Sequence, residues 1–309
     1  MNIDEGFAAL SAALNPQAQL LEVVPLTGGV SADVQALTLR NADGETFKVV
    51  VRQHPDRTFK DRSADLTRLE YDLLAALYGA GLPVPEPLML DVSSAIVPAP
   101  ALVMTYVEGS AEIDNDDLPA QMDEMAQVLC AIHDLPASSL PALPDRLNPL
   151  PEMFQFLPEG TLWQALREYL SDASGSAYRG RPSLLHGDFW PQNLLWRDGE
   201  LVAVLDWEDA AIGDPMADVA GARVELGWTY GEQAVAEFTR AYDRRRPIDR
   251  HRLSLWEVYV ATAAAHFMHE WGLPAAQEAH MRSNAQVFAR RAAQQLLGLA
   301  VDAQPGSPS

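Results

Sequence analysis

SLLHGDFWPQNLLWRDGELVAVLDWEDAAIGDPMADVA, residues 183–220, is the stretch whose reading decides the fold. Two β-like runs, Asn193 to Trp196 and Leu201 to Asp206, flank the dipeptide Asp198-Gly199. Asp-Gly between such runs is a strong two-residue hairpin signal, because the tight turn needs positive φ at both central positions. With that turn, Arg197 pairs with Glu200 and Asn193 falls opposite Val204. Asp206 then lies two residues further along on the same face, a diagonal neighbour within about 7–8 Å. A one-residue slip would turn the two side chains to opposite faces. The expected hairpin therefore delivers an amide oxygen and a carboxylate to one point, with room for further oxygen ligands to a hard cation such as Mg2+.

Just upstream, His186-Gly187-Asp188 ends another apolar run, and Asp188 precedes Asn193 by five positions across a tight loop containing Pro191. That D-x-x-x-x-N spacing, followed by a second metal-binding Asp, matches kinase catalytic loops. Phosphoryl transfer explains the layout: a carboxylate orients and deprotonates the attacking hydroxyl, while metal ions neutralise charge on the phosphate oxygens. Each piece alone is commonplace. Their combination is specific, and its rival is a surface hairpin with Asp188 as a local turn former.

The segment resembles the aminoglycoside phosphotransferase family, which includes choline-kinase-like and other small-molecule kinases. The residues carrying the resemblance are His186, Gly187, Asp188, Asn193, Asp206 and Trp207, with Gly213-Asp214-Pro215 matching the family's G-D-P turn. The resemblance implies an α+β, protein-kinase-like two-lobed fold: a small antiparallel sheet lobe with one main helix, then a larger, mainly helical lobe. It implies phosphate transfer from ATP, with GTP not excluded, to a hydroxyl of a small molecule. Asp188 would be the catalytic base, and Asn193 and Asp206 would hold Mg2+. For Asp214 with Pro215, a plain helix-starting role is preferred.

Further upstream, LTGGVSADV resembles the family's nucleotide loop, in which Gly28 and Gly29 let backbone N–H groups approach phosphates and Ser31 adds a donor. The run VVVR places Arg52 where many kinases have a phosphate-gripping Lys, with Lys48 on the same strand face as the alternative and Glu70 as the helix partner. ALVMTYVEG looks like the inter-lobe hinge, so backbone groups of Thr105 and Val107 would meet the adenine. The expected organisation is a nucleotide-binding lobe over 1–104, a hinge at 105–110, a catalytic and substrate lobe over 111–300, and a disordered tail over 301–309.

Periodicity supports that division. Strand-like runs at 20–26, 33–40 and 45–52 precede a helix over 61–79, where Leu66, Leu69, Leu73, Leu74 and Leu77 recur at helical spacing. Two more strands are expected at 87–91 and 101–107. Beyond Gly109, helices are expected at 116–134, 161–172, 214–227, 230–244, 249–271 and 275–299. Pro-rich 135–152 and the 171–182 segment read as loops.

Composition bounds the partners. The 309 residues carry a formal net charge of −21. Nucleic acid is excluded, because phosphate backbones are held by clustered Lys and Arg. Between Thr105 and Gly160 six Asp and five Glu face a single Arg, which inclines the reading towards a cationic acceptor. The longest apolar-leaning stretch, Val258 to Leu273, is interrupted by His266, His269 and Glu270, so no membrane span is expected. A single cysteine, Cys130, and an N-terminus without a basic-then-apolar leader fit a cytoplasmic protein. His133 reads as a packing histidine, and Arg244 to Arg246 as a solvated helix end. A protein kinase is disfavoured, since HGD stands for HRD, DWE for DFG, and no APE-like segment follows. A nucleotide- or partner-binding module without catalysis is the alternative from another class, and Arg52 is what keeps it open.

Overall fold

The computed structural model describes residues 3–26, 32–54, 63–114, 117–171 and 177–300. Its first part holds α1 (Ile3–Leu14), β1 (Gln19–Pro25), β2 (Asp33–Arg40), β3 (Thr46–Gln53), α2 (Ser63–Gly79), β4 (Pro87–Asp91) and β5 (Ala101–Thr105). The strands form one antiparallel sheet in the order β1-β2-β3-β5-β4. Alternation along β3 sorts its side chains. Val49 and Val51 pack into a core with Phe7, Leu10, Leu37 and Val103, whereas Val50 and Arg52 face a cleft on the other side. Besides the expected main helix α2, this part holds α1, whose Phe7 and Leu10 cover the sheet face that α2 does not. A sheet with apolar side chains on both faces needs cover on both.

The second part holds α3 (Leu118–Asp134), β6 (Asp145–Arg146), α4 (Met153–Phe156), α5 (Thr161–Ser171), β7 (Ser183–Leu185), β8 (Leu194–Arg197), β9 (Glu200–Val204), β10 (Ala211–Gly213), α6 (Met216–Thr229), α7 (Gly231–Arg245), α8 (Arg250–Phe267) and α9 (Ala275–Leu296). Its core joins Leu73, Leu74, Leu77 and Leu102 from the first part to the apolar faces of α3, α6, α7, α8 and α9. Cys130 lies inside it, and burial pushes its thiol up to about 11, which suits a structural residue. Among the described residues no helix is long and apolar enough to cross a membrane.

Two local findings correct the expectations. The Asp198-Gly199 turn is present, with φ of 54° and 82°, and Arg197 pairs with Glu200. A bulge between Leu195 and Trp196 then shifts the register, so Leu194 pairs with Val204, and Asn193 accepts a hydrogen bond from the Leu205 N–H at 2.8 Å. Asn193 therefore lies beside Leu205 rather than opposite Val204, because the extra residue of the bulge moves everything beyond it by one. The Arg244–Arg246 run is also more than a solvated helix end. Arg244 and Arg245 pair with Asp123, and Arg246 donates to the His133 carbonyl and Ser183 Oγ, tying α7 to α3 and β7.

Candidate active site

The loop after β7 is held from beneath. His186 is fully buried; its Nε2 donates to the Leu205 carbonyl at 2.8 Å, leaving Nδ1 to accept from the Asp188 N–H at 3.2 Å. Asp218, in the first turn of α6, accepts from the N–H groups of His186 at 2.7 Å and Gly187 at 3.0 Å. It also meets His133 Nε2 at 3.1 Å, while His133 Nδ1 lies 2.7 Å from the Tyr242 hydroxyl. Burial opposes the ionisation of Asp218, yet the His133 contacts, the His186 ring and the backbone N–H outweigh it and hold this carboxyl below its usual range. His133 is thus a link in a buried polar chain and not merely a packing residue.

Asp188 stands on that platform. Burial pushes its carboxyl above the ordinary range, and Asp209 and Asp206 add to the push. The His186 ring and a hydrogen bond from Asn193 pull the other way. Asn193 Nδ2 donates both to the Asp188 carbonyl and to its Oδ2, each at 2.9 Å. This fixes the amide plane and leaves Oδ1 as its other end. Asp206 follows β9 with φ of 62°, a left-handed backbone uncommon for a non-glycine residue and of the kind held at functional sites.

Arg52 reaches across the cleft. Its Nη2 donates to Asp206 Oδ1 at 2.9 Å and to Glu208 Oε2 at 2.8 Å, and its Nε lies 3.2 Å from Glu70 Oε1. Burial works against this cation, but Glu70, Asp206 and Glu208 more than offset it and raise its pKa. Glu70 is itself buried, and its second oxygen meets His54 Nε2 at 2.8 Å. Arg52 and Glu70 lie within ion-pair distance, and Asp206 and Glu208 are further partners of Arg52, as His54 is of Glu70. Lys48, the alternative, points to Glu108 at 3.2 Å and over the Tyr106 ring.

A cavity of about 480 Å3 lies between these groups, a size suited to a small-molecule site. Arg52, Glu70, Thr105, Val107, Asn193 and Asp206 all line it. Asp188 adjoins it through Asn193. The Thr105 N–H is spent on the Glu86 carbonyl at 2.9 Å. Gly28, Gly29 and Ser31, and the tail 301–309, lie outside the described residues. Asp214 is fully buried; Oδ1 accepts from the Met216 N–H, while Oδ2 accepts from Arg252 Nε and Trp256 Nε1. That network pins the start of α6 to α8, although the helix begins at Met216 with Pro215 as its N-cap, one residue later than the expected N-cap at Asp214.

Sequence reasoning passed over Asp218, Glu208, His54 and Glu225. Carboxylates set among apolar neighbours within α6, Asp218 in MADVA and Glu225 in VELGW, are the signal that could have found two of them. Burial and the nearby Asp188 charge push the Glu225 carboxyl up to about 8, against a hydrogen bond from Trp228 Nε1 at 2.8 Å. The folded chain thus holds this proton more tightly than the unfolded chain does. Stability falls as pH rises from about 4.5 to about 8, by up to about 1.4 kcal/mol per pH unit, and levels off above that window. Glu225→Gln keeps an acceptor for Trp228 and cannot ionise. Its advantage over wild type in urea unfolding should grow between pH 5 and pH 8 to roughly 2–4 kcal/mol. An advantage that does not change with pH would mean that Glu225 is already ionised in the fold.

Asp188, the Asn193–Asp206 pair and the Arg52–Glu70 ion pair stand around one cleft of a kinase-like fold. The chain belongs to the phosphotransferase enzyme family, whose sequence profile matches residues 22–256. Viomycin phosphotransferase of Streptomyces vinaceus is 28% identical over 218 residues, covering 62% of this chain and 73% of that protein. Acyl-CoA dehydrogenase family member 10 of Mus musculus is 33% identical over 198 residues, 56% of this chain but only 18% of the mouse protein. The structure of a choline kinase from Streptococcus pneumoniae superposes with a TM-score of 0.62 at 18% identity, covering 94% of this chain and 99% of that one. The last likeness speaks to the fold: an antiparallel sheet followed by a mainly helical part.

Proposed function

We propose that the protein transfers the terminal phosphate of ATP, with Mg2+, to a hydroxyl of a small molecule, and that a cationic acceptor of the aminoglycoside or amino-alcohol type fits it best. The observation that carries this reading is the grouping of Asn193, Asp206, Arg52 and Glu70 around one cavity, with Asp188 hydrogen-bonded to its edge. In this reading Asp188 accepts the hydroxyl proton at Oδ1, since Oδ2 already takes the Asn193 hydrogen bond. Arg52 grips phosphate oxygens, a task for which its planar fork is suited. The donors fit Mg2+: Asn193 Oδ1 and the Asp206 carboxylate are hard oxygens, and such sites use one or two carboxylates with substrate oxygens completing the shell. When bound, the ion would neutralise charge developing on the phosphates. GTP as donor is the variant to test beside ATP.

The acceptor class rests on the acidic 105–160 segment and on the names of two similar proteins, a viomycin phosphotransferase and a choline kinase. The second reading, a nucleotide- or partner-binding module without catalysis, is favoured by one observation. Arg52 stands where many kinases have Lys, and it is already paired with Asp206. Release of ADP or GDP decides between them. The purified protein is supplied with Mg2+, ATP or GTP, and a panel of aminoglycosides, macrolides, amino alcohols, sugars and, given the mouse relative's name, hydroxyacyl thioesters. Release stimulated by one acceptor class identifies the enzyme and its substrate. Nucleotide binding without release across the panel favours the binding module.

A further inference from the structure

Three carboxylates crowd the Arg52 guanidinium, so a phosphate binding there meets anions already in place. Both hydrogens of Nη2 are taken, one by Asp206 and one by Glu208, on the segment that follows β9. On the opposite side Nε faces Glu70 at 3.2 Å, but the geometry is too poor for a hydrogen bond, and Nε is left buried without an acceptor. The contact with Glu70 is therefore an ion pair without a hydrogen bond, and Glu70 belongs to the part of the chain that carries Arg52. What keeps Glu70 in place is its other oxygen, anchored at 2.8 Å on His54 Nε2, two residues beyond Arg52. Glu70 and His54 are largely buried, at 7% and 12% side-chain exposure, so neither can exchange its partner for water without moving. Glu208, at 35%, can.

We infer that His54 and Glu208 are opposing positioning residues for Arg52. His54, through Glu70, holds the guanidinium on the β3 side where nucleotide phosphates would meet it, and Glu208 draws the same Nη2 across the cleft in competition with those phosphates. This inference rests on the nucleotide-binding reading above. Its consequence is a pair of effects of opposite sign, which a general loosening of the fold cannot produce. Losing a hydrogen bond to a charged group changes affinity by roughly tenfold. Removing Glu208's charge should tighten ATP binding, and removing His54's donor should weaken it.

The test measures the dissociation constant of a fluorescent ATP analogue in EDTA, so that the phosphate–Arg52 contact is read without metal. Wild type is compared with Glu208→Gln, His54→Ala and His54→Gln, each with its melting temperature. The expected pattern is three- to tenfold tighter binding for Glu208→Gln and about tenfold weaker binding for His54→Ala, with melting temperatures near wild type. His54→Gln, whose Nε2 can donate to Glu70 Oε2, should restore wild-type affinity. Shifts of the same sign, or no shift in either variant, overturn the opposition. Failure of His54→Gln to rescue overturns the part assigned to His54. If the wild type binds no nucleotide even with Mg2+, the proposed function fails, and this inference with it. Intact wild-type binding beside unchanged variants sinks the inference alone.

Discussion

Asp188→Asn is expected to lower turnover by about 10^2- to 10^4-fold while leaving ATP affinity and melting temperature close to wild type. The magnitude is that of removing a positioned general base, about 3–5 kcal/mol of barrier. The substitution separates chemistry from architecture because almost nothing around the residue needs to change. Asn193 Nδ2 donates to Asp188 Oδ2 and to the Asp188 backbone carbonyl. An asparagine amide oxygen accepts the first bond equally well, and the second does not involve the side chain. The loop below is fixed by backbone groups of His186 and Gly187 on Asp218 and by the His186 ring on Leu205, none of which touches the mutated carboxyl. Burial and the charges of Asp206 and Asp209 already disfavour an ionised Asp188, so a neutral amide should not destabilise the fold. Because the proposed base works ionised and its carboxyl is pushed upward, wild-type kcat/KM should rise with pH through a pKa above the ordinary Asp value, and this limb should vanish in the variant. A variant with wild-type turnover would remove Asp188 from the mechanism. A large fall in melting temperature would instead make its role structural.

How far the sequence alone reaches follows from which interactions are local. The Asp198-Gly199 turn, the order of strands β1 to β5 and the six long helices of the second part depend on short-range pattern, and they lie within a few residues of expectation. The resemblance rested on residues within one short segment, and the family match is in agreement with it. Interactions across long separations were not legible. β6 and β10 span two and three residues and become strands only because β10 pairs with both β6 and β7. Helix α1 does carry a local signal, an Ala- and Leu-rich amphipathic run that the sequence reading passed over, and its Phe7 and Leu10 pack on the sheet. The bulge that displaces Asn193 is a one-residue irregularity that alternation over five residues does not resolve. Arg52 and Glu70 could be paired in advance because a general kinase pattern links them. Glu208, 156 residues from Arg52 in sequence, could not be.

Gly187→Ala should cost about 2–5 kcal/mol of stability and most of the activity, the largest expected loss for the removal of no functional group. Two separable terms make up that figure. Gly187 has φ of +89°, where an L-residue pays about 1–2 kcal/mol. In addition, a Cβ at this position would stand 2.2 Å from the Asp209 carbonyl oxygen and 2.7 Å from its carbonyl carbon. That obstacle is backbone and not the end of a flexible chain, so either the 186–188 loop or the 206–209 segment must move, at a further cost of about 1–3 kcal/mol. Both movements damage the proposed site. The first breaks the Gly187 N–H bond to Asp218 Oδ1, and the second displaces Asp206 and Glu208 from Arg52. Gly199 supplies the control. Its φ is +82° and its Cβ would meet nothing within 4 Å, so Gly199→Ala carries the conformational cost alone, about 1–2 kcal/mol, far from the cleft. Urea unfolding of the two variants isolates the steric term by difference, and nucleotide release reads its effect on the site. If Gly187→Ala proved no less stable than Gly199→Ala and kept its turnover, the contact between the catalytic loop and Asp209 would be looser than these distances require. The glycine of His186-Gly187-Asp188 would then serve the turn and not the joining of the 186–188 loop to the 206–209 segment.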